Sequence, residues 1–183
     1  MSVTRAIDFH RLDYGQFVED VEKLASSVEA GEWSPNFLVG IGRGGLVPGT
    51  YLSHRLDLPL LSIDHSSKVD KFSHSLLVHL ADCIEQGESY LFVDDINDSG
   101  KTIAWFKQVL GRGKPLSDRV RFAFWINNVR SSQTVDYAAR SIDRAQDKRW
   151  FVFPWGALAS RAAQERDARE DPARLGSALD PIN

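Results

Sequence analysis

Apolar residues recur along the chain in short bursts separated by polar, glycine-bearing stretches, and the spacing inside each burst predicts an element. Phe17, Val21, Leu24 and Val28 repeat at three- and four-residue intervals, the period of one helical face. They predict a helix over about 13–30, stopped by Gly31. FLVGI (37–41) and PLLSID (59–64) have the apolar density and length of strands. Between them the glycine-rich GRGG leads into a helix reaching Leu56. HSSKVDKFSHS (65–75) is polar and without period, so it predicts a mobile loop, followed by a strand at LLVHL (76–80). SYLFVDD (89–95) reads as a buried strand ending in acid. A helix over about 102–110 carries Ile103, Phe106, Val109 and Leu110 on its buried side. Strands follow at RVRFAFWI (119–126) and VDYAA (135–139). RWFVFPW (149–155) is aromatic and ends at a proline. From Leu158 the chain is charged and alanine-rich, which predicts a surface helix and a loose tail over 158–183.

Strands alternating with helices imply an α/β domain, a mainly parallel twisted sheet flanked by helices. In such sheets ligands bind beyond the carboxyl ends of the strands. GRGG and DDINDSG each follow a strand directly, so they are expected side by side on one rim. A length of 183 residues fits one domain, taken as 1–157 with an appended segment 158–183. Composition narrows the partners. An apolar fraction of 43% with 26% charged residues is that of a soluble globular chain. A net charge of -3 argues against nucleic acid as a partner, since phosphate contacts need a basic face. The lone Cys83 rules out an internal disulfide framework or a cysteine-rich zinc site. The histidines show no metal-ligand spacing. With neither a leader pattern nor an apolar run of membrane-span length, the expectation is a cytoplasmic protein without a membrane partner.

The chemistry concentrates in FVDDINDSGKTI (92–103). Its Ser-Gly-Lys-Thr resembles the end of a P-loop, but the opening glycine of GxxxxGK[ST] is replaced by Asp95, with Asp94 beside it. Two adjacent carboxylates repel unless a partner neutralises or hydrogen-bonds them. Vicinal ribose hydroxyls and a magnesium ion are suitable partners. Asp98, Ser99, Gly100, Lys101 and Thr102 then form a turn into a helix N-terminus, whose N–H groups and hydroxyls suit a single phosphate. Simple helix capping by Asp98 or Ser99 accounts for only one residue of this set. In the first loop, Gly40, Gly42 and Gly45 satisfy GxGxxG, with Asp64 about twenty residues on, the start of an NAD(P)-binding oxidoreductase. Arg43 in the turn, Pro48 and Gly49 in the following helix, and a second loop left without a role all weigh against it. Arg43 flanked by Gly42, Gly44 and Gly45 suits an anion, unless it is merely the solvent-facing arginine of a tight turn. Ribose hydroxyls, one phosphate and a pyrophosphate together describe 5-phosphoribosyl 1-pyrophosphate.

YLFVDDINDSGKT, GIGRGGLVPG and RWFVFPW resemble the type I phosphoribosyltransferase family, closest to its bacterial xanthine–guanine branch, over roughly residues 37–155. The resemblance implies a parallel sheet core with a small hood built from the chain ends, and commonly a homo-oligomer. It implies that Asp94 and Asp95 hold the ribose hydroxyls and Mg2+, and that Asp98–Thr102 hold the 5-phosphate. Gly42–Gly45 would meet pyrophosphate, often through a non-proline cis peptide near Arg43 and Gly44. Asp98 takes the position of the general base toward the purine nitrogen. The segment from about Ser66 to Ser75 falls at the catalytic flap, with Lys68 and Lys71 able to cover the pyrophosphate. Trp150, beside Phe151, is the candidate to stack on the base, although aromatics at alternating positions are also ordinary core. One departure stands out: Asn127, near Trp125 and Asn128, replaces the lysine that reads the purine's exocyclic oxygen. An amide can donate to an oxo group or accept from an amine, which leaves the acceptor base open. The resemblance also admits a phosphoribosyl-pyrophosphate-sensing regulator that binds without catalysis.

Overall fold

The computed structural model describes residues 7–64 and 70–170. Their elements run β1 (Phe9–Arg11), α1 (Tyr14–Glu29), β2 (Phe37–Ile41), α2 (Gly42–Leu56), β3 (Leu60–Ile63), α3 (Asp70–Glu85) and β4 (Tyr90–Asn97). Then come α4 (Lys101–Gly111), β5 (Val120–Asn128), β6 (Tyr137–Ile142), β7 (Trp150–Val152), a 3-10 turn (Pro154–Gly156) and α5 (Arg161–Glu170). The chain divides into two compact units. One is the central stretch Val18–Ile142; the other combines the chain ends, Met1–Phe17 and Asp143–Asn183.

The central unit is built on a five-stranded sheet in the order β3-β2-β4-β5-β6, with every neighbouring pair parallel. Alternation along the strands sorts the side chains by face. Val39, Ile41, Tyr90, Phe92, Val120, Phe122 and Phe124 form one buried cluster with Leu77, Leu80, Ala81 and Ile84 of α3 and Ile103, Phe106 and Leu110 of α4. Phe92 is its hub, with ring centroids 5.2 Å from Phe106 and 5.6 Å from Phe122. Burying a ring of this size contributes roughly 1.5–3 kcal/mol.

On the opposite face α2 lies unusually close to the sheet, because glycines meet there. A Cβ on Gly40 would sit 3.0 Å from Leu46 Cα, and one on Gly49 would sit 3.6 Å from Gly40 Cα. Pro48 is inside this helix, yet α2 continues to Leu56. The proline removes one helical hydrogen bond without ending the helix, so the expected disturbance is local. The helix closes at Asp57 in the left-handed conformation, with its N–H on the Ser53 carbonyl.

α1 is tied to the sheet by a buried carboxylate. Asp20 accepts from Trp125 Nε1 at 2.9 Å and Lys23 Nζ at 3.0 Å, and it also takes the Arg140 guanidinium. Burial pushes its pKa up, but the bonds from Trp125, Lys23 and Arg140 and the Arg140 charge outweigh that and hold it below its ordinary value. A carboxyl with a depressed folded pKa lends stability above the unfolded value, and this is lost as pH falls through the folded one. Asp20→Asn keeps an acceptor for Trp125 but removes the charge that Arg140 faces. It should lower stability by about 2 kcal/mol at neutral pH. Denaturation midpoints at pH 7 and below about pH 4 test this, because the gap should close in acid.

In the unit of chain ends, β1 pairs in parallel with β7, Phe9 opposite Trp150 and Arg11 opposite Val152. Phe151 is buried between the edge-on His10 ring and the Arg144 guanidinium, 4.7 Å above it. Trp155 stacks on Phe153 at 5.1 Å and meets the edge of Phe17 at 5.3 Å.

Two expectations are corrected. The chain from Asp70 is helical, so 70–75 is not loop and LLVHL is not a strand. Ser73, Leu77, Leu80, Ala81 and Ile84 are buried while Leu76 and Val78 are exposed, a helical stripe that the adjacent Leu76, Leu77 and Val78 obscured. No peptide bond among the described residues is cis; the turn into α2 is made by Gly42 at φ +56 instead. Lys68 lies outside the described residues, and Lys71 falls in the first turn of α3.

Candidate functional site

The strand order reverses direction at β2: the chain leaves it through α2 to β3 on one side, while β4 lies on the other. The crevice beyond the carboxyl ends at such a reversal is the expected ligand position in a parallel sheet. Both loops singled out in the sequence open there, one after β2 and one after β4, on the same rim as anticipated.

In the first loop Gly42 has the left-handed conformation that suits glycine. Arg43 is exposed and makes no hydrogen bond or ion pair with the described residues. Gly44 and Gly45 bring the backbone against the neighbouring loop. A Cβ on Gly44 would lie 2.7 Å from Asp95 Cγ and 3.0 Å from Asp94 Oδ1; one on Gly45 would land on the Val93 carbonyl oxygen. These two glycines make room for the acidic pair. The residue before α2, Ile41, supplies no side-chain cap to the helix, so its first N–H groups are not satisfied by a capping residue.

Asp94 and Asp95 follow the buried Leu91, Phe92 and Val93. Asp94 Oδ1 accepts the Asp95 N–H at 2.9 Å. Burial, and next the charge of Asp95, hold the Asp94 carboxyl well above the ordinary carboxylate range against that hydrogen bond. A carboxylate pair so placed suits a cation or hydroxyl donors. Among the described residues no group of three or more His, Cys, Asp or Glu forms a complete metal cage. Two carboxylates fit magnesium, which is usually held by one or two such groups together with substrate oxygens and water.

Asp98 is buried, 6% exposed. Ser99 follows, and Gly100 caps α4 at φ +85, again with no side-chain cap. Lys101 is exposed and Thr102 half-buried in the first turn. The backbone here is held by a second row of residues that sequence reasoning did not single out for this role. Asn128 Nδ2 donates to the Asp98 carbonyl at 2.9 Å, and Ser132 Oγ to the Ser99 carbonyl at 2.8 Å. Gly100 is pressed against this brace: a Cβ there would be 2.6 Å from Ser132 Oγ and 2.8 Å from Ser131 Oγ. Asn97 links the rim sideways, donating to Asn127 Oδ1 at 2.8 Å and the Gln133 carbonyl at 2.9 Å, and accepting from Ser131 Oγ at 3.0 Å. The signal available beforehand was slight: amide residues at the ends of two neighbouring buried strands.

Gly42–Gly45, Asp94, Asp95, Asp98–Thr102 and Asn127 all belong to the central unit. Trp125, near Asn127 in sequence, is a core residue bonded to Asp20. Trp150, half-buried, and Phe151, buried, lie on β7 in the unit of chain ends.

The comparisons with known proteins agree with this architecture. Residues 12–160 match the family model described as Phosphoribosyl transferase domain. A xanthine-guanine phosphoribosyltransferase of Idiomarina loihiensis is 27% identical over 124 residues, 64% of this chain and 69% of that protein. In structure the chain is similar to a purine phosphoribosyltransferase from Pyrococcus horikoshii. That similarity has a TM-score of 0.60 at 23% identity and covers 84% of this chain and 97% of the other. It is also similar to the xanthine-guanine-hypoxanthine phosphoribosyltransferase of Helicobacter pylori, with a TM-score of 0.59 at 20% identity, covering 89% and 99%. Among the described residues no helix is long and apolar enough to cross a membrane. With its mostly parallel sheet, its paired loops at the strand reversal and a match spanning most of its length, the chain belongs to the phosphoribosyl transferase domain family.

Proposed function

We propose that the protein transfers the phosphoribosyl group of 5-phosphoribosyl 1-pyrophosphate to a nitrogen of a purine base and releases pyrophosphate. The observation that carries this reading is the contact of Gly44 and Gly45 with Asp94 and Asp95 at the strand reversal. It sets a glycine turn against two adjacent carboxylates, which supports a reading in which pyrophosphate meets the backbone of the first and ribose hydroxyls the second. The turn at Asp98–Thr102 adds a helix start whose cap residue is a glycine, with the Lys101 N–H only 3.4 Å from Ser99 Oγ, a setting of the kind that binds one phosphate. Asp94 and Asp95 would hold the ribose hydroxyls, directly or through magnesium, which supplies positive charge to the departing pyrophosphate. Arg43, exposed beside that cradle, adds a guanidinium for the charge that builds on the leaving group. As the C1–pyrophosphate bond breaks, the base nitrogen attacks C1, and the Asp98 carboxylate accepts the proton that nitrogen sheds.

Measuring magnesium-dependent pyrophosphate release from 5-phosphoribosyl 1-pyrophosphate across a panel of purine and pyrimidine bases tests the proposal. Release with a purine supports it. Tight binding of 5-phosphoribosyl 1-pyrophosphate without release for any base would replace it by a sensing role.

The acidic pair carries its own expected outcome. Asp94→Asn keeps an acceptor for the Asp95 N–H and deletes a charge that burial and Asp95 disfavour. The ligand-free variant should be more stable by about 1 kcal/mol at neutral pH while binding 5-phosphoribosyl 1-pyrophosphate more weakly. A raised folded pKa makes wild type lose stability as pH climbs through the unfolded carboxyl value, so the variant's advantage should vanish below about pH 4. Unfolding midpoints with and without ligand separate the two effects.

A further inference from the structure

Gly100 is buried, yet its N–H donates to no described residue, and neither does the N–H of Ser99. A buried amide without an acceptor is rare and calls for a ligand or water. The carbonyls of the same two peptides are both engaged, and from one side. Asn128 Nδ2 donates to the Asp98 carbonyl at 2.9 Å. The Ser99 carbonyl accepts twice from Ser132, from Oγ at 2.8 Å and from the main-chain N–H at 3.3 Å. These peptides are trans, and in a trans peptide the C=O and N–H point in opposite directions. Holding each carbonyl on the 128–133 loop therefore turns the Ser99 and Gly100 N–H groups away from that loop.

The hold matters because this turn has a second form. Gly100, at φ +85 and ψ -2, has the angles of the third residue of a type II turn. A type I turn has that residue at about φ −90° and ψ 0°, with the peptide before it turned over. Glycine takes either sign of φ without steric penalty, so Gly100 itself does not choose. In the turned-over form the Ser99 carbonyl would stand where the Gly100 N–H stands, a negative end in place of a donor. The loop that decides between them is fastened on both sides of the turn. Its Gln133 carbonyl takes Asn97 Nδ2 of β4 at 2.9 Å, and Gln133 Oε1 takes Lys107 Nζ of α4 at 3.0 Å.

We propose that Ser132, seconded by Asn128, is the positioning residue of the phosphate turn: its double hold on the Ser99 carbonyl keeps the Gly100 N–H available to the 5-phosphate and excludes the turned-over peptide. The inference rests on the phosphoribosyl-transfer reading above. Ser132 is exposed and acts only through the backbone of the turn.

The test compares ribose 5-phosphate, which carries the 5-phosphate alone, with inorganic pyrophosphate and magnesium. In wild type, ribose 5-phosphate should move the Gly100 amide signal in nitrogen–proton correlation spectra. Ser132→Ala keeps only the longer main-chain bond to the Ser99 carbonyl. It should bind ribose 5-phosphate about five- to tenfold more weakly, with a smaller Gly100 shift at saturation and unchanged affinity for pyrophosphate. Ser132→Thr retains the hydroxyl and should behave as wild type, whereas a general loss of packing would weaken both ligands in both variants. Equal ribose 5-phosphate affinity in wild type and Ser132→Ala overturns the inference and leaves the transferase reading intact, as does wild-type binding that leaves the Gly100 amide unmoved. No ribose 5-phosphate binding by wild type overturns the inference together with the assignment of the turn to phosphate.

Discussion

Gly45→Ala should destabilise the protein by about 3 kcal/mol, the upper end for forcing one extra methyl into a packed interior, and should remove binding of 5-phosphoribosyl 1-pyrophosphate. The added Cβ would land on the Val93 carbonyl oxygen and 3.0 Å from Asp94 Cα. Both are backbone atoms of a central strand, so neither can rotate away. The first turn of α2 must lift off β4 instead, taking Gly44 away from the acidic pair. The neighbouring glycines grade the effect. At Gly49 the nearest obstacle is the movable tip of Leu60 at 3.1 Å, and at Gly156 no atom lies within 4 Å. Denaturant midpoints should therefore fall steeply for Gly45→Ala, slightly for Gly49→Ala and not at all for Gly156→Ala. Equal values across the three would mean that α2 is not held against the sheet as described.

Asp98→Asn should lower turnover by about 10²–10³, within the usual contribution of a general base, with affinity for 5-phosphoribosyl 1-pyrophosphate changed only a few-fold. The substitution conserves size. The main-chain anchor of the residue, its carbonyl on Asn128 Nδ2, does not involve the carboxylate. An amide has no basic lone pair for the proton of the attacking nitrogen, so the deficit should appear in kcat rather than in ligand binding. Steady-state kinetics with calorimetric binding of 5-phosphoribosyl 1-pyrophosphate separates the two quantities. Unchanged turnover would assign the proton to solvent or another group; a collapse of binding alone would make Asp98 a phosphate-loop residue and nothing more.

The central strands were legible because they are buried on both faces and read as unbroken apolar runs: FLVGI is β2 to the residue, and SYLFVDD differs from β4 only at its ends. α1 and α4 were legible from their period. α3 was not, since exposed Leu76 and Val78 fill the places between its buried positions and imitate alternation. β1 is three residues long and has strand character only through β7, a partner far along the chain that no local pattern announces. The ligand-facing loops carried their own chemistry in sequence. Their support did not: Asn128 at the end of β5 and Ser131, Ser132 and Gln133 in the loop after it are unremarkable in sequence until the β4–β5 register brings them to the turn at Asp98–Gly100.

The pairing of β1 with β7 bears on how the chain is made. Strands β2 to β6 and their helices are complete once Ile142 has been synthesised, and all of their pairings lie within 37–142. Phe9, by contrast, waits for Trp150. Long-range closures carry the largest entropic delay in folding, and chains emerge from the ribosome amino end first. Phe9–Arg11, synthesised before the central sheet, should thus be among the last segments to pair, because their partner strand is made only after that sheet is complete. Pulsed hydrogen exchange on stalled chains should find the β4 and β5 amides protected before those of Phe9–Arg11.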